Sequence, residues 1–208
     1  LKTFRKTYII LQSPRFTLIP QSIEPEADKL NIYYDFCFPD HTDKILCNEW
    51  QRNQLYNLFG VNKDIYAFLK RTFDNPLFLH QLTPLCEYFY KRSKVGNNSK
   101  MYIHLQKKWI DIACFNKKGL LFANSFEYGD IHDAAYYILN VWEQQGFDQE
   151  KDELQLTGDK EPRQIITRIA QEYIRQVMPS IFPPQLFKLG KETLEAPFDL
   201  TVIPLCEL

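Results

Sequence analysis

The sequence predicts an α/β fold built on a mixed sheet, and three observations carry the prediction. Met101 to Leu105, Trp109 to Phe115 and Leu120 to Phe126 are three strand-like runs in succession, rich in β-branched and aromatic residues. The links between them, Gln106-Lys107-Lys108 and Asn116-Lys117-Lys118-Gly119, are short enough to make antiparallel neighbours. From about residue 127 onward, helical and strand periods alternate, which demands crossovers and hence parallel pairing. The order expected for the second half is β-β-β-α-β-α-β.

The first half opens with a strand at Thr7 to Leu11, halted by Ser13-Pro14 and followed by a second run from Arg15 to Pro20. The two read as a strand pair. Leu30 to Phe38 places Tyr34, Phe36 and Phe38 on one face at period two, the pattern of a half-buried strand. Asp40 to Asp43 then turns the chain into a short strand at Ile45 to Cys47. Asn62 can cap a helix with Ile65, Phe68, Leu69 and Phe73 at helical spacing, ended by Asn75-Pro76. Leu77 to Leu79 follows as a buried strand. Thr83-Pro84 opens a helix to about Lys91, because a threonine hydroxyl accepts a backbone N–H and Pro at the first position needs no donor.

Ser93 to Lys100 has no hydrophobic pattern and is rich in turn residues, so the domain boundary is set there: residues 1–94 and 95–208. Beyond the three strands, Asp130 caps a helix with Ile131, Ala134, Ala135, Ile138 and Trp142 on one stripe, stopped by Gly146. Leu154 and Leu156 mark a strand. Pro162 opens another helix with Ile166, Ile169, Ala170, Tyr173, Ile174 and Val177 inward, ended at Met178-Pro179. Leu186 to Leu189 is expected to close the sheet.

At 208 residues the chain can bury about 70% of its unfolded surface, so a real core is available. Its 25 basic and 26 acidic side chains nearly cancel, which leaves no net field to steer it to nucleic acid or anionic lipid. No apolar run reaches the ~20 residues of a bilayer span, and the start Leu1 to Lys6 has no apolar signal core, so a cytoplasmic protein without membrane insertion is expected. Five cysteines at irregular spacing, Cys37, Cys47, Cys86, Cys114 and Cys206, read as reduced thiols.

Ser13 to Pro20 together with Met101 to Asp159 resembles a bacterial domain-of-unknown-function family assigned to the actin-like ATPase fold. That fold duplicates a ribonuclease H-like domain, and the resemblance implies two such domains here. Its functional cousins would be cytoplasmic scaffolds of pilus assembly and secretion. In active members, the first strand of each domain carries an Asp and turns through a glycine-rich loop whose backbone approaches phosphate. Here the matching stretch is Ile103 to Trp109, with His104 at the Asp position and no glycine in the turn. The adenosine motif ends in a Leu-Thr-Gly-Gly type turn, and Leu156-Thr157-Gly158-Asp159 keeps half of it.

The candidate cofactor-binding residues are therefore Gln106, Lys107, Thr157 and Gly158, with no catalytic or metal-binding residues. His41, His80, His104 and His132 fall at no metal-ligand spacing and read as surface or satisfied core histidines. A metal-dependent nuclease would need clustered carboxylates beginning on the first strand, and Met101 to Leu105 has none. The expected function is a non-catalytic interaction scaffold with no cofactor, binding a protein partner or itself. An ATP- and magnesium-dependent ATPase or phosphotransferase is the alternative, with any first-domain phosphate loop lying before Leu1. Among 16 Phe and 12 Tyr, the pairs Tyr33-Tyr34 and Tyr136-Tyr137 are the ones in which a ring should face a partner, with Tyr33 or Tyr137 contributing.

Overall fold

The computed structural model describes residues 6–23, 29–179, 183, 190 and 196–206. The chain divides into two compact units, Leu1–Glu87 and Tyr88–Leu208, and the division falls inside a helix rather than in the polar segment after Ser93.

Unit 1 holds β1 (Tyr8–Leu11), β2 (Phe16–Pro20), α1 (Leu30–Cys37), β3 (Lys44–Trp50), β4 (Leu55–Val61), α2 (Lys63–Thr72), β5 (Leu77–His80) and the start of α3 (Leu82–Ser93). The expected pairing of the first two strands does not occur. β1 pairs in parallel with β5, and β2 is antiparallel to β4, giving a sheet of order β2-β4-β3. Ser13 explains the break: its N–H goes to Gln81 Oε1 (3.1 Å) and its hydroxyl to Gly60 O (2.8 Å), so the link is tied outward instead of folding into a hairpin.

Leu30 to Cys37 is a helix, not the expected strand. The stretch fits both periods, and packing decides: Leu30, Tyr33, Tyr34 and Phe38, at helical spacing, gather against Ile19 and Leu58, whereas Phe36 is 88% exposed. Tyr34 is fully buried, with its hydroxyl donating to Arg15 O (3.2 Å). Gly60 makes room for it, since a Cβ there would lie 2.2 Å from the Tyr34 hydroxyl.

Asn62 caps α2 as expected, accepting from the N–H groups of Asp64 and Ile65. The stripe is placed differently. Ile65 and Phe68 are 53% and 60% exposed, and it is Tyr66 that packs inward on Phe78. Leu77 is exposed and Leu79 buried, so β5 is only half covered.

Asn48 joins the two sheets of this unit. Its Oδ1 accepts from the His80 N–H and the Thr83 hydroxyl (both 2.8 Å), and its Nδ2 donates to Phe78 O (2.9 Å). The Thr83 hydroxyl in turn accepts from the Trp50 indole (2.9 Å). Asn48→Ala would orphan buried backbone groups of β5 and is expected to cost about 3 kcal/mol, read by urea unfolding. A variant within experimental error of the parent would show that water replaces the amide.

Unit 2 contains β6 (Lys100–Leu105), β7 (Trp109–Asn116), β8 (Gly119–Glu127), α4 (Ile131–Gln144), β9 (Glu153–Gly158), α5 (Lys160–Ala170), β10 (Gln176–Pro179) and α6 (Phe198–Thr201). β6, β7 and β8 are antiparallel neighbours, and β9 and β10 add in parallel, giving the mixed sheet β10-β9-β6-β7-β8. Asp130 and Asp133 form a reciprocal capping box on α4, and Gly146 follows its end at φ +66°.

One face of this sheet, with Ile103, Leu105, Ile110, Ile112 and Leu156, packs on Ala134, Ile138 and Trp142 of α4 and Ile166 and Ala170 of α5. The helix expected to reach Val177 ends at Ala170. Tyr173 is half exposed, and Gln176–Pro179 is a strand. An edge strand tolerates the proline that a continuing helix would not. The strand expected at Leu186 to Leu189 lies outside the described residues. After Ser93, Lys100 is buried and organises the polar segment, its ammonium donating to Val95 O (2.6 Å) and Asn98 O (3.4 Å).

Candidate functional site

The β6–β7 turn and the β9–α5 turn lie side by side in unit 2, because β6 and β9 are parallel and end together, Leu105 opposite Gly158. With Tyr128 and the start of α4 they bound a cavity of about 550 Å3, lined by Lys107, Tyr128, Asp159, Lys160, Glu161 and Pro162, with Ile131 and Ile165.

Of the sequence candidates, Lys107 alone lines this cavity. Gln106 spends its backbone within the turn: its N–H donates to Trp109 O (2.8 Å) and its carbonyl accepts from the Tyr128 hydroxyl. Thr157 is buried in the sheet, its hydroxyl donating to Ile103 O (2.9 Å). That leaves the oxygen as acceptor for His104 Nδ1–H (3.1 Å). Burial lowers the His104 pKa to about 4, despite the opposing pull of Asp159, so the ring is neutral. Gly158 has φ +93°, and a Cβ on it would sit 2.0 Å from Leu105 O. The Asp159 N–H donates to that same carbonyl (2.8 Å). The glycine is required by the neighbouring strand.

On the sheet face opposite α4, register aligns Thr157, His104, Asp111 and Ser125 across four strands. All four are buried, and the Ser125 hydroxyl donates to Asp111. Phe198 of α6 lies over His104, and Phe89 stacks on Tyr102 beside it at 4.3 Å.

The start of α5 is poorly suited to an anion. Asp159 and Glu161 place carboxylates where the helix dipole would favour phosphate, and Pro162 removes one first-turn N–H. Lys107 and Lys160 offset the two charges. Sequence reasoning missed Tyr128, Lys160 and Glu161. The β7–β8 register, which sets Trp109 opposite Glu127, was the signal that would have brought Tyr128 beside the β6–β7 turn.

Unit 1 carries a polar pocket lined by Asn31, Asp35, His41, Asp43 and Lys44. His41 Nε2–H donates to Asp35 (2.6 Å), and Nδ1 accepts from the Asp43 N–H (3.2 Å), so this histidine is embedded in a network. His80 is a satisfied core histidine, as expected, donating to Ser13 O and accepting from the Leu82 N–H. Among the described residues, no three His, Cys, Asp or Glu side chains are grouped to hold a metal ion, and no helix is long and apolar enough to cross a membrane.

This α/β architecture with mixed sheets is that of an actin-like ATPase fold. A protein with actin-like ATPase fold and unknown function from Bacteroides thetaiotaomicron superimposes with a TM-score of 0.83 at 32% identity, over 99% of this chain and 75% of that one. The chain belongs to the family described as protein of unknown function (DUF3822), which matches residues 1–177. A chain of the PilM-PilN type IV pilus biogenesis complex is similar in fold, with a TM-score of 0.51 at 11% identity over 96% of this chain and 79% of that one. No curated protein matches.

Proposed function

We propose that this chain is a non-catalytic member of the actin-like fold, built from two ribonuclease H-like domains, that works as a cytoplasmic interaction scaffold. One observation carries the reading. In the two turns that would cradle a nucleotide in unit 2, Gln106 gives its N–H to Trp109 O and its carbonyl to the Tyr128 hydroxyl, the Asp159 N–H is taken by Leu105 O, and Gly158 is packed against Leu105. Catalysis of phosphoryl transfer depends on free, preorganised donors and a positioned divalent ion, and His104 stands where a carboxylate would organise that ion. The PilM-PilN complex supports the role, since a protein of similar fold there acts in an assembly. Cys37, Cys47 and Cys114 are free thiols, in keeping with a reducing compartment.

A second reading rests on the cavity beside Lys107 and Lys160, which has the volume of a small-molecule site. It would make the protein an ATPase or phosphotransferase that binds ATP and magnesium there, with Lys107 the one of Gln106, Lys107, Thr157 and Gly158 that lines the cavity. Isothermal calorimetry with ATP and magnesium separates the two. No binding heat is expected, and low-micromolar binding lost on Lys107→Glu would overturn the scaffold reading.

A further inference from the structure

β8 is the edge of the five-stranded sheet and, among the described residues, pairs with β7 alone. The parity of that pairing tells which backbone groups face away. The Tyr128 N–H donates to Lys108 O (3.0 Å), and Trp109 stands opposite Glu127, so the hydrogen-bonded pairs continue at Phe126, Asn124 and Phe122. Ala123, Ser125 and Glu127 therefore turn their backbone N–H and C=O groups to the outer rim. The Ser125 N–H is met by the Asn124 side chain (2.9 Å), as expected for a group not engaged with β7.

Natural sheets blunt such an edge with charge or proline. β10 at the opposite edge carries Pro179, but Gly119 to Phe126 contains neither a charged residue nor a proline. Leu121, opposite no β7 residue at the register shift, is 44% exposed. On the α4 side of the same edge, Phe126 stacks on Tyr137 (4.7 Å) and Tyr136 is 64% exposed. This places the exposed ring of the tyrosine pair on Tyr136, not on Tyr137 or Tyr33.

The charges say what would cover the edge. Exposed Lys117 and Lys118 stand at the start of β8, and exposed Glu127 and Asp130 at its end. A strand with a positive head and a negative tail is complementary to itself when reversed. We propose that two copies of this chain associate through β8, antiparallel about Ala123, so that their sheets become continuous and Lys117 and Lys118 of each copy meet Glu127 and Asp130 of the other. Each contact occurs twice under the two-fold axis, and the aromatic flank of Phe126, Tyr136 and Tyr137 lies beside the seam. This rests on the scaffold reading, and it names one of the partners as the protein itself.

Sedimentation equilibrium of the full chain over a concentration series, with hydrogen exchange, tests the proposal. The expected result is a dimer in which the Ala123 and Glu127 amides exchange more slowly than in the monomer. Ala123→Pro removes an outward N–H without touching the β7 ladder and should abolish dimerisation. Lys118→Glu and Glu127→Lys should each weaken it about tenfold, and the double variant should restore it, so the result stands even if the proline variant does not fold. A chain that stays monomeric, or a dimer indifferent to these changes, overturns the proposal. Absence of ATP binding in the same preparation would then leave the scaffold reading standing, whereas ATP binding would remove that reading and not the dimer.

Discussion

Gly158→Ala is expected to lower the stability of unit 2 by at least about 4 kcal/mol, at the top of the range for single substitutions. The new methyl would sit 2.0 Å from Leu105 O, 2.7 Å from Leu105 N and 2.8 Å from Leu105 C. All three are backbone atoms of β6, a strand hydrogen-bonded on both sides, so no side chain can swing aside. The residue also sits at φ +93°, which penalises any side chain. Gly146→Ala is the matched control, since it shares a positive φ (+66°) but nothing lies within 4 Å of the added carbon. It should cost only about 1 kcal/mol. Urea unfolding followed by a probe in unit 2 makes the comparison. If the two variants unfold together, the tight turn is not the reason for glycine. A glycine reserved for a ligand would give the other signature, unchanged stability with lost nucleotide binding.

The second half of the chain was legible because its contacts are local. Three alternating runs joined by two short links can hardly do other than make a meander, and the Asp130 cap and Gly146 stop are written within a few residues of the helix they bound. The first half was not, because remote partners decide it. β1 finds β5 nearly seventy residues away, Leu30 to Cys37 satisfies two periods until Leu58 and Ile19 choose one, and β4 went unseen. The helix expected through Val177 failed for the same reason: β9 offers an edge that Gln176 to Pro179 can complete. At the site, residue types alone named Lys107 and noticed Asp159, but could not tell that Thr157 points into the sheet and Gly158 into β6. The face on which a strand residue lies depends on register, and register depends on the partner.

Acidification is expected to destabilise the fold through two histidines. Burial lowers the pKa of both His80 and His104 from the ordinary 6.5 to about 4, outweighing the carbonyl of Ser13 at the first and the carboxylate of Asp159 at the second. Both rings are locked as neutral tautomers. His80 donates through Nε2 to Ser13 O and accepts the Leu82 N–H at Nδ1, so a second proton has to displace that bond. His104 donates through Nδ1 to Thr157. An unfolded chain takes up these protons near pH 6.5 and the folded chain only near pH 4, so the stabilisation is complete above about pH 6.5 and is lost as pH falls toward 4. Each histidine accounts for about 3 kcal/mol at the acid end. Asp199 works the other way, since burial raises its pKa and acid favours its buried neutral form. Urea unfolding at a series of pH values between 7 and about 4.5 should show the decline, and His80→Gln and His104→Gln should each remove part of the slope. Because the histidines lie in different units, the His104 variant should flatten the transition of unit 2 alone, and a slope that survives both substitutions would place the acid sensitivity in the carboxylates instead.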